Sequence, residues 1–260
     1  MRLYDAHNHL QDDRFGGRQD ELIADCADVG MTRMVVNGTR EADWPTVAAL
    51  AKRHDCVLPS FGLHPWFVPE RSAEWLAQLE QQLDAWPSAV GEIGLDRWKP
   101  GLDYDGQETV FTTQLRLAAE RNLPVSIHCL KSWGRLHELL RAGPLPQRGF
   151  LLHSYGGPAE MVEPLAGLGA YFSFPGAFVH ERKTRQRDAF RQVPADRLLI
   201  ETDAPDQPLP EDRVTHPLGQ RLNHPANIAA VYEAAAEALG QAPAGLAKRA
   251  EENFVRLFGS

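Results

Sequence analysis

Cysteine is scarce in this chain. The three residues present, Cys26, Cys56 and Cys129, are widely spaced, with no Cys-x-x-Cys pair. An odd and scattered set argues against a disulfide framework and suits a reducing, cytoplasmic setting. An excess of basic residues is also missing: the 260-residue chain carries a formal net charge of -8. That balance opposes general affinity for nucleic acid, which rests on basic surface, though a substrate held by a metal and a few local cations remains compatible. No apolar run is long enough to span a bilayer, and the start, Met1-Arg2-Leu3-Tyr4-Asp5, has no apolar signal core. Neither a membrane span nor a secretory leader is expected. Linkers, low-complexity tracts and a break in composition are absent too, so residues 1–260 read as one domain. What remains is an ordinary globular balance, 43% hydrophobic and 24% charged.

Short apolar segments alternate with longer amphipathic ones. Strands are predicted at Arg2–Ala6, Arg33–Asn37, Val57–Gly62, Ala89–Ile93, Val125–His128, Gly149–His153, Ala170–Ser173 and Leu198–Thr202. Helices are predicted at Glu21–Asp28, Trp44–Arg53, Ala73–Ala85 and Gln107–Arg121, then at Ser132–Leu140, Ala159–Leu168, Arg185–Gln192 and Asn227–Leu239. Strict alternation predicts a parallel sheet, and eight repeats at this length predict a closed (β/α)₈ barrel of the TIM type. Pro243–Phe258 reads as an extra C-terminal helix packed outside, and Pro205–Pro217 as a long loop at the barrel mouth.

The polar residues are distributed unevenly over this pattern. Asp5-Ala6-His7-Asn8-His9 ends the first strand, and residues two apart on a strand share a face, so His7 and His9 present two imidazoles together. His64 follows the third strand, Glu92 ends the fourth, and His128 and His153 end the fifth and sixth. Asp203 ends the eighth, two residues after Glu201, so both carboxylates are expected to face the mouth. Taken singly, each has an ordinary reading as a structural histidine, a helix cap or a salt bridge. Gathered at the catalytic rim of a barrel, a carboxylate ringed by imidazoles is costly without a cation. His7, His9, Glu92, His128, His153 and Asp203 exceed the ligand set of one tetrahedral ion, so two divalent ions are expected. The division is His7, His9 and Asp203 on one and His128 and His153 on the other, with Glu92 bridging. Nitrogen and oxygen donors favour Zn²⁺, Mn²⁺ or Mg²⁺. Cys129, beside His128, reads as core.

These motifs, in this order, resemble the TatD family of metal-dependent hydrolases. The resemblance rests on D-A-H-N-H at 5–9, F-G-L-H-P at 61–65, G-E-I-G-L-D at 91–96 and S-I-H-C at 126–129. It continues in L-H-S-Y-G-G at 152–157, S-F-P-G at 173–176, E-T-D-A-P at 201–205 and N-H-P-A-N at 223–227. It implies a (β/α)₈ barrel with a divalent metal centre and phosphodiester hydrolysis, typically as a 3′–5′ deoxyribonuclease. It also implies that His7, His9, Glu92, His128, His153 and Asp203 are ligands, and that His64 and Glu201 serve the scissile phosphate and proton transfer. Three places depart from the family pattern. Leu130, followed by Lys131, stands where an arginine is usual; Ser154-Tyr155-Gly156-Gly157 replaces Cys-Phe-Ser-Gly; and Leu222, next to Arg221, replaces the arginine of the late motif. These bear on the substrate and leave the metal centre untouched.

The expected chemistry is metal-assisted hydrolysis, with Glu201 or Asp203 accepting the proton of water and His64 and Lys131 facing the phosphate. Arg182 and Lys183 open a basic cluster reaching Arg187, whose readings are a solvated helix start or a grip on nucleic-acid backbone. Trp66, Trp98 and Trp133 follow strands three to five and are candidates for base stacking or for wall packing. The expected partner is DNA or a small phosphodiester, with no membrane, and the chain is expected to act as a monomer. Two rivals stand beside this reading: hydrolysis of an amide, ester or lactone, and a metal-bound protein without turnover.

Overall fold

Runs rich in Val, Ile, Leu and Phe become strands and the amphipathic stretches between them become helices in the computed structural model, which describes residues 1–259. Among the described residues the strands are β1 (Leu3–Asn8), β2 (Met31–Asn37), β3 (Val57–Phe61), β4 (Ala89–Asp96), β5 (Val125–Leu130), β6 (Phe150–Leu152), β7 (Ala170–Pro175) and β8 (Leu198–Glu201). All neighbours pair in parallel and the spatial order is the chain order. The intervening helices are α1 (Gln19–Asp28), α2 (Trp44–Arg53), α3 (Trp75–Ala85), α4 (Tyr104–Arg121), α5 (Trp133–Ala142), α6 (Val162–Gly167), α7 (Thr184–Phe190) and α8 (Ile228–Ala238), and α9 (Pro243–Phe258) follows them. This is the predicted (β/α)₈ TIM barrel. No helix among the described residues is long and apolar enough to cross a membrane.

Four strands, β1, β4, β5 and β7, run further toward the mouth than their sequence pattern suggested. β4 and β5 stay paired through Gly94–His128, Leu95–Cys129 and Asp96–Leu130. Glu92 and His128 therefore sit within their strands rather than at the ends, and Asp96 takes the terminal position of β4. The register of β4 against β5 shifts between Val90 and Ile93. Space there is minimal. A β-carbon on Gly91 would stand 2.8 Å from Ser126 Cβ and 2.9 Å from Ser60 Oγ, so only glycine lets the strand pass beside Glu92.

The barrel closes where β8 meets β1. The Asp5 carboxylate accepts hydrogen bonds from Thr202 N (2.9 Å), Thr202 Oγ1 (2.6 Å), His7 N (3.2 Å) and Asn8 Nδ2 (3.1 Å). Backbone bonds from Asp203 N to His7 O (2.9 Å) and His9 N to Ala204 O (2.7 Å) continue the seam upward.

The barrel interior changes chemistry along its axis. Its lower layer is apolar: Tyr4, Val35, Leu58, Leu151, Tyr171 and Leu199 form one buried cluster. Two residues further up their strands lie Asn37, Ser60, Ser173 and Glu201, all fully buried. Above these come the imidazoles.

The helix expected outside the barrel instead closes its floor. Phe254, Leu257 and Phe258 of α9 belong to the lower interior cluster, with the Phe254 ring 4.9 Å from Tyr4. Asn253 Nδ2 donates to Ala195 O (2.9 Å) and Leu198 O (2.8 Å), which ties α9 to the start of β8. An open apolar floor would expose the lower ring of side chains, and an amphipathic helix with aromatic residues on one face removes that surface from water. Truncating Phe254→Ala is expected to lower unfolding free energy by about 3–5 kcal/mol, read as a shift of the urea midpoint.

Candidate metal centre

His7, His9, His64 and His128 each have one ring nitrogen engaged by the scaffold, and that contact bears on what the other nitrogen offers. His9 Nδ1 lies 2.8 Å from Asn37 O. A carbonyl only accepts, so Nδ1 carries the proton and Nε2 of the neutral ring is a bare lone pair. His128 Nε2 lies 3.1 Å from the Asp96 carboxylate, which leaves Nδ1 as its free lone pair. His7 Nδ1 contacts Ser126 Oγ at 2.8 Å.

These free nitrogens converge on one carboxylate. Glu92 Oε2 is 3.1 Å from His9 Nε2 and 3.6 Å from His7 Nε2. Glu92 Oε1 is 3.0 Å from His128 Nδ1 and 2.7 Å from His153 Nε2. Asp203 Oδ1 approaches His7 and His9 Nε2 at 3.6 Å each. His7 and His9 Nε2 stand 3.2 Å apart, and His7 and His153 stack with ring centroids 4.0 Å apart. Lone pairs that face a carboxylate and one another repel, and only a proton or a cation between them relieves the repulsion. Protons do part of this in the metal-free protein. Burial opposes charge on His9, but Glu92 and Asp203 outweigh it and push its pKa up to about 9. Burial likewise opposes charge on His153, yet Glu92 holds its pKa well above the usual range. Burial and neighbouring His153 push His7 down to about 4, and burial raises Asp203 to about 7.

The same donors fit divalent ions. Donor atoms of His7, His153 and Asp203 lie within 4.8 Å of one another, as do those of His7, His9 and Glu92. His153 Nε2 also stands 3.4 Å from His128 Nδ1, so His153 lies within reach of the donors on both sides of Glu92. The donor set holds nitrogen and oxygen and no sulfur, which fits Zn²⁺, Mn²⁺ or Mg²⁺. His153 Nδ1 is buried without a hydrogen-bond partner, with Glu201 Oε1 3.8 Å away.

His64 is different in kind. Its donor atom also falls within 4.8 Å of Glu92 and His128. However, its Nδ1 accepts the Trp66 backbone N–H at 3.1 Å. Nε2 of the neutral ring then carries the proton and points toward Glu92 Oε1, 3.6 Å away. Burial keeps the ring neutral, with a pKa well below its ordinary value. His64 is therefore arranged as a hydrogen-bond donor rather than a ligand.

Glu201 does not face the mouth as expected. It is fully buried, accepts hydrogen bonds from Ser154 Oγ (2.5 Å) and Ser173 Oγ, and lines no part of the cavity above the centre. Period-two spacing fails here because β8 ends at Glu201 and Asp203 adopts φ 53°, in the left-handed region. Asp203 does line the cavity.

That cavity measures about 630 Å³ and opens over Glu92, His128 and His153. Of the expected substrate contacts, Lys183 lines it, with Nζ 5.6 Å from the Phe178 ring centre, whereas Lys131 and Arg182 do not. Arg187 is spent on the scaffold, donating to Phe178 O and His180 O. Arg221 is exposed outside the cavity, 3.8 Å from Glu211. Cys129 is buried and borders the cavity. Two residues escaped the sequence reading. Arg40 lines the cavity over the Phe67 ring, at 4.8 Å, and its signal was its place just beyond the carboxyl end of β2. Asp96 was visible inside G-E-I-G-L-D but had no assigned role. Its carboxylate is fully buried and receives Trp66 Nε1 (2.6 Å), Trp98 N (2.7 Å), Lys99 N (3.2 Å) and His128 Nε2.

Comparison with known proteins gives a consistent pattern. A family model described as TatD related DNase matches residues 4–259. The 3′-5′ ssDNA/RNA exonuclease TatD of Escherichia coli (strain K12) is 31% identical over 263 residues, covering 99% of each chain. An uncharacterized metal-dependent hydrolase of the same organism, YjjV, is 32% identical over 211 residues, covering 80% of this chain and 81% of that protein. The crystal structure of YjjV superposes with a TM-score of 0.91 at 29% identity, covering 100% of this chain and 98% of that one.

Substitutions should separate ligands from the residues that orient them. Glu92→Ala is expected to abolish metal uptake measured by elemental analysis. Asp96→Ala, which frees the His128 ring, should weaken metal affinity about 10- to 100-fold, and Asp96→Asn should weaken it less because one acceptor remains.

Proposed function

The chain belongs to the TatD-related DNase family, whose members include metal-dependent hydrolases, and from that premise we propose that it is a 3′–5′ exonuclease acting on single-stranded nucleic acid. The observation that carries the reading is the Glu92 carboxylate at the cavity floor, met by imidazole nitrogens at both of its oxygens. His7, His9, Glu92, His128, His153 and Asp203 would hold two divalent ions, Zn²⁺, Mn²⁺ or Mg²⁺. Such ions, when bound, supply Lewis acidity toward a phosphoryl group and make water a better nucleophile near neutral pH.

The chain's own side chains account for the rest of the chemistry. Of the two carboxylates expected to take a proton, Asp203 borders the cavity and Glu201 does not, so Asp203 accepts the proton released when water attacks phosphorus. Glu201, held by two serine hydroxyls below the floor and with Oε1 3.8 Å from His153 Nδ1, does not take that proton. His64, neutral and with Nε2–H aimed at the centre, donates to the developing charge on a phosphate oxygen. Arg40 and Lys183 border the cavity as cations for the phosphates of the strand. The family arginines absent at Leu130 and Leu222 are replaced in charge, though not in place, by these two. The same reading takes residues 1–260 as one catalytic unit, working as a monomer in the cytoplasm.

The test uses 5′-labelled single-stranded DNA with Mg²⁺ or Mn²⁺. Progressive shortening from the 3′ end is expected. Turnover confined to small esters, amides or lactones would replace the nuclease reading with the first rival, and inactivity of metal-loaded protein across such a panel would favour the second. His64→Ala should reduce kcat by about 10²–10³-fold while metal content stays at the wild-type level. Loss of metal in this variant would make His64 a ligand.

A further inference from the structure

The tryptophans after β3, β4 and β5 have different fates. Trp66 donates its indole N–H to the buried Asp96 carboxylate at 2.6 Å, and Trp133 packs edge-on against Tyr155 at 4.6 Å. Both are wall residues. Trp98 stays 57% exposed, yet it lines the cavity above the centre. The large apolar side chains left exposed among the described residues are Met1, Trp98, Leu130 and Val255. Trp98 and Leu130 both line the cavity, and they stand at adjacent strand ends: Asp96 pairs with Leu130, and Arg97 N donates to Leu130 O at 2.9 Å. An exposed indole beside an exposed isobutyl group is unfavourable unless something covers it.

We propose that Trp98 and Leu130 form a stacking shelf at the cavity mouth that receives an unpaired nucleobase of the strand being degraded, and so favours single-stranded over paired ends. The inference rests on the nuclease reading given above. Three observations favour a nucleobase over a generic apolar ligand. First, the shelf belongs to the wall of the cavity that holds the metal centre, so a base placed there is connected to a phosphate that can reach the floor. Second, Arg40 and Lys183 line the same cavity in a chain of net charge -8, and Lys99 follows Trp98 directly. Lys99 Nζ sits 4.8 Å over the Trp66 ring instead of on a carboxylate. A flat apolar face bordered by cations complements a base joined to phosphates. Third, the backbone beneath the indole is built to hold still: Trp98 N and Lys99 N both donate to Asp96 Oδ1, and the other oxygen of that carboxylate holds His128. The shelf and the centre therefore share one anchor. A base inside a duplex is stacked on both faces and cannot lay one on the indole without leaving the stack, so the shelf discriminates by strandedness rather than by sequence.

The test compares Trp98→Ala and Trp98→Phe with the wild type on a 5′-labelled single-stranded oligonucleotide and on bis(p-nitrophenyl) phosphate, a diester with no nucleobase. Trp98→Ala is expected to raise KM for the oligonucleotide about tenfold. The ratio of kcat/KM on oligonucleotide to that on the small diester should fall by the same factor, and Trp98→Phe should recover most of the loss. Oligonucleotide bound with Ca²⁺ should quench tryptophan emission in the wild type, and this quenching should shrink in Trp98→Phe. Equal oligonucleotide KM for Trp98→Ala and an active wild type would overturn the shelf and leave the nuclease reading intact. A metal-loaded wild type that neither binds nor cleaves the oligonucleotide would overturn both.

Discussion

The seam between the last strand and the first is the constraint on which the site depends. His7 and His9 lie at the start of the chain and Asp203 near its end, and they meet because Asp5 holds Thr202 through two hydrogen bonds while the Asp203 and Ala204 backbones bond to His7 and His9. The same carboxylate also takes the His7 N–H and the Asn8 side chain. Closure and the orientation of the first two imidazoles are thus one event. A buried acceptor with four donors is well satisfied, and removing any of them leaves an unpaired polar group in a dry interior.

Above the seam, the selection of chemistry is made by the partners of the rings. Asn37 O, the Asp96 carboxylate and the Trp66 N–H are scaffold contacts, yet they decide which nitrogens at the mouth are lone pairs and which are protons. Identical imidazoles offer either a lone pair or an N–H at the mouth because a carbonyl meets His9, a carboxylate meets His128 and an amide N–H meets His64. The upward gradient in the barrel serves the same end. Apolar residues fill the lower layer, hydroxyl and amide groups with the Glu201 carboxylate the middle, and the imidazoles come above, so the rings stand on a polar floor.

Much of the architecture was legible in the sequence because it depends on local pattern. The alternation of strands and helices survives with small changes of boundary; Trp44–Arg53 and Pro243–Phe258 appear with the bounds read from the sequence. The convergence of imidazoles and carboxylates on one rim followed from their places at strand ends. What was not legible depends on backbone departures and on neighbours distant in sequence. The positive φ at Asp203 turns its carboxylate to the mouth and leaves Glu201 below. Pairing of β4 with β5 through Asp96 and Leu130 lengthens both strands, which no apolar pattern announced. The three tryptophans look alike in sequence, and only their partners separate the two that are walled in from the one that is free. The position of α9 was hidden for a related reason: an amphipathic helix shows that it has an apolar face but not which opening it covers.

The location of α9 also bears on biosynthesis. Its aromatic residues complete the barrel floor against Tyr4, which is made before any of the helices, whereas α9 emerges after all eight strands have been made. A nascent chain that has exposed every imidazole of the mouth still has an uncovered hydrophobic base. During translation, therefore, the imidazole cluster precedes its support, and a stretch of greasy β-structure is left for a chaperone to shield until the closing helix arrives.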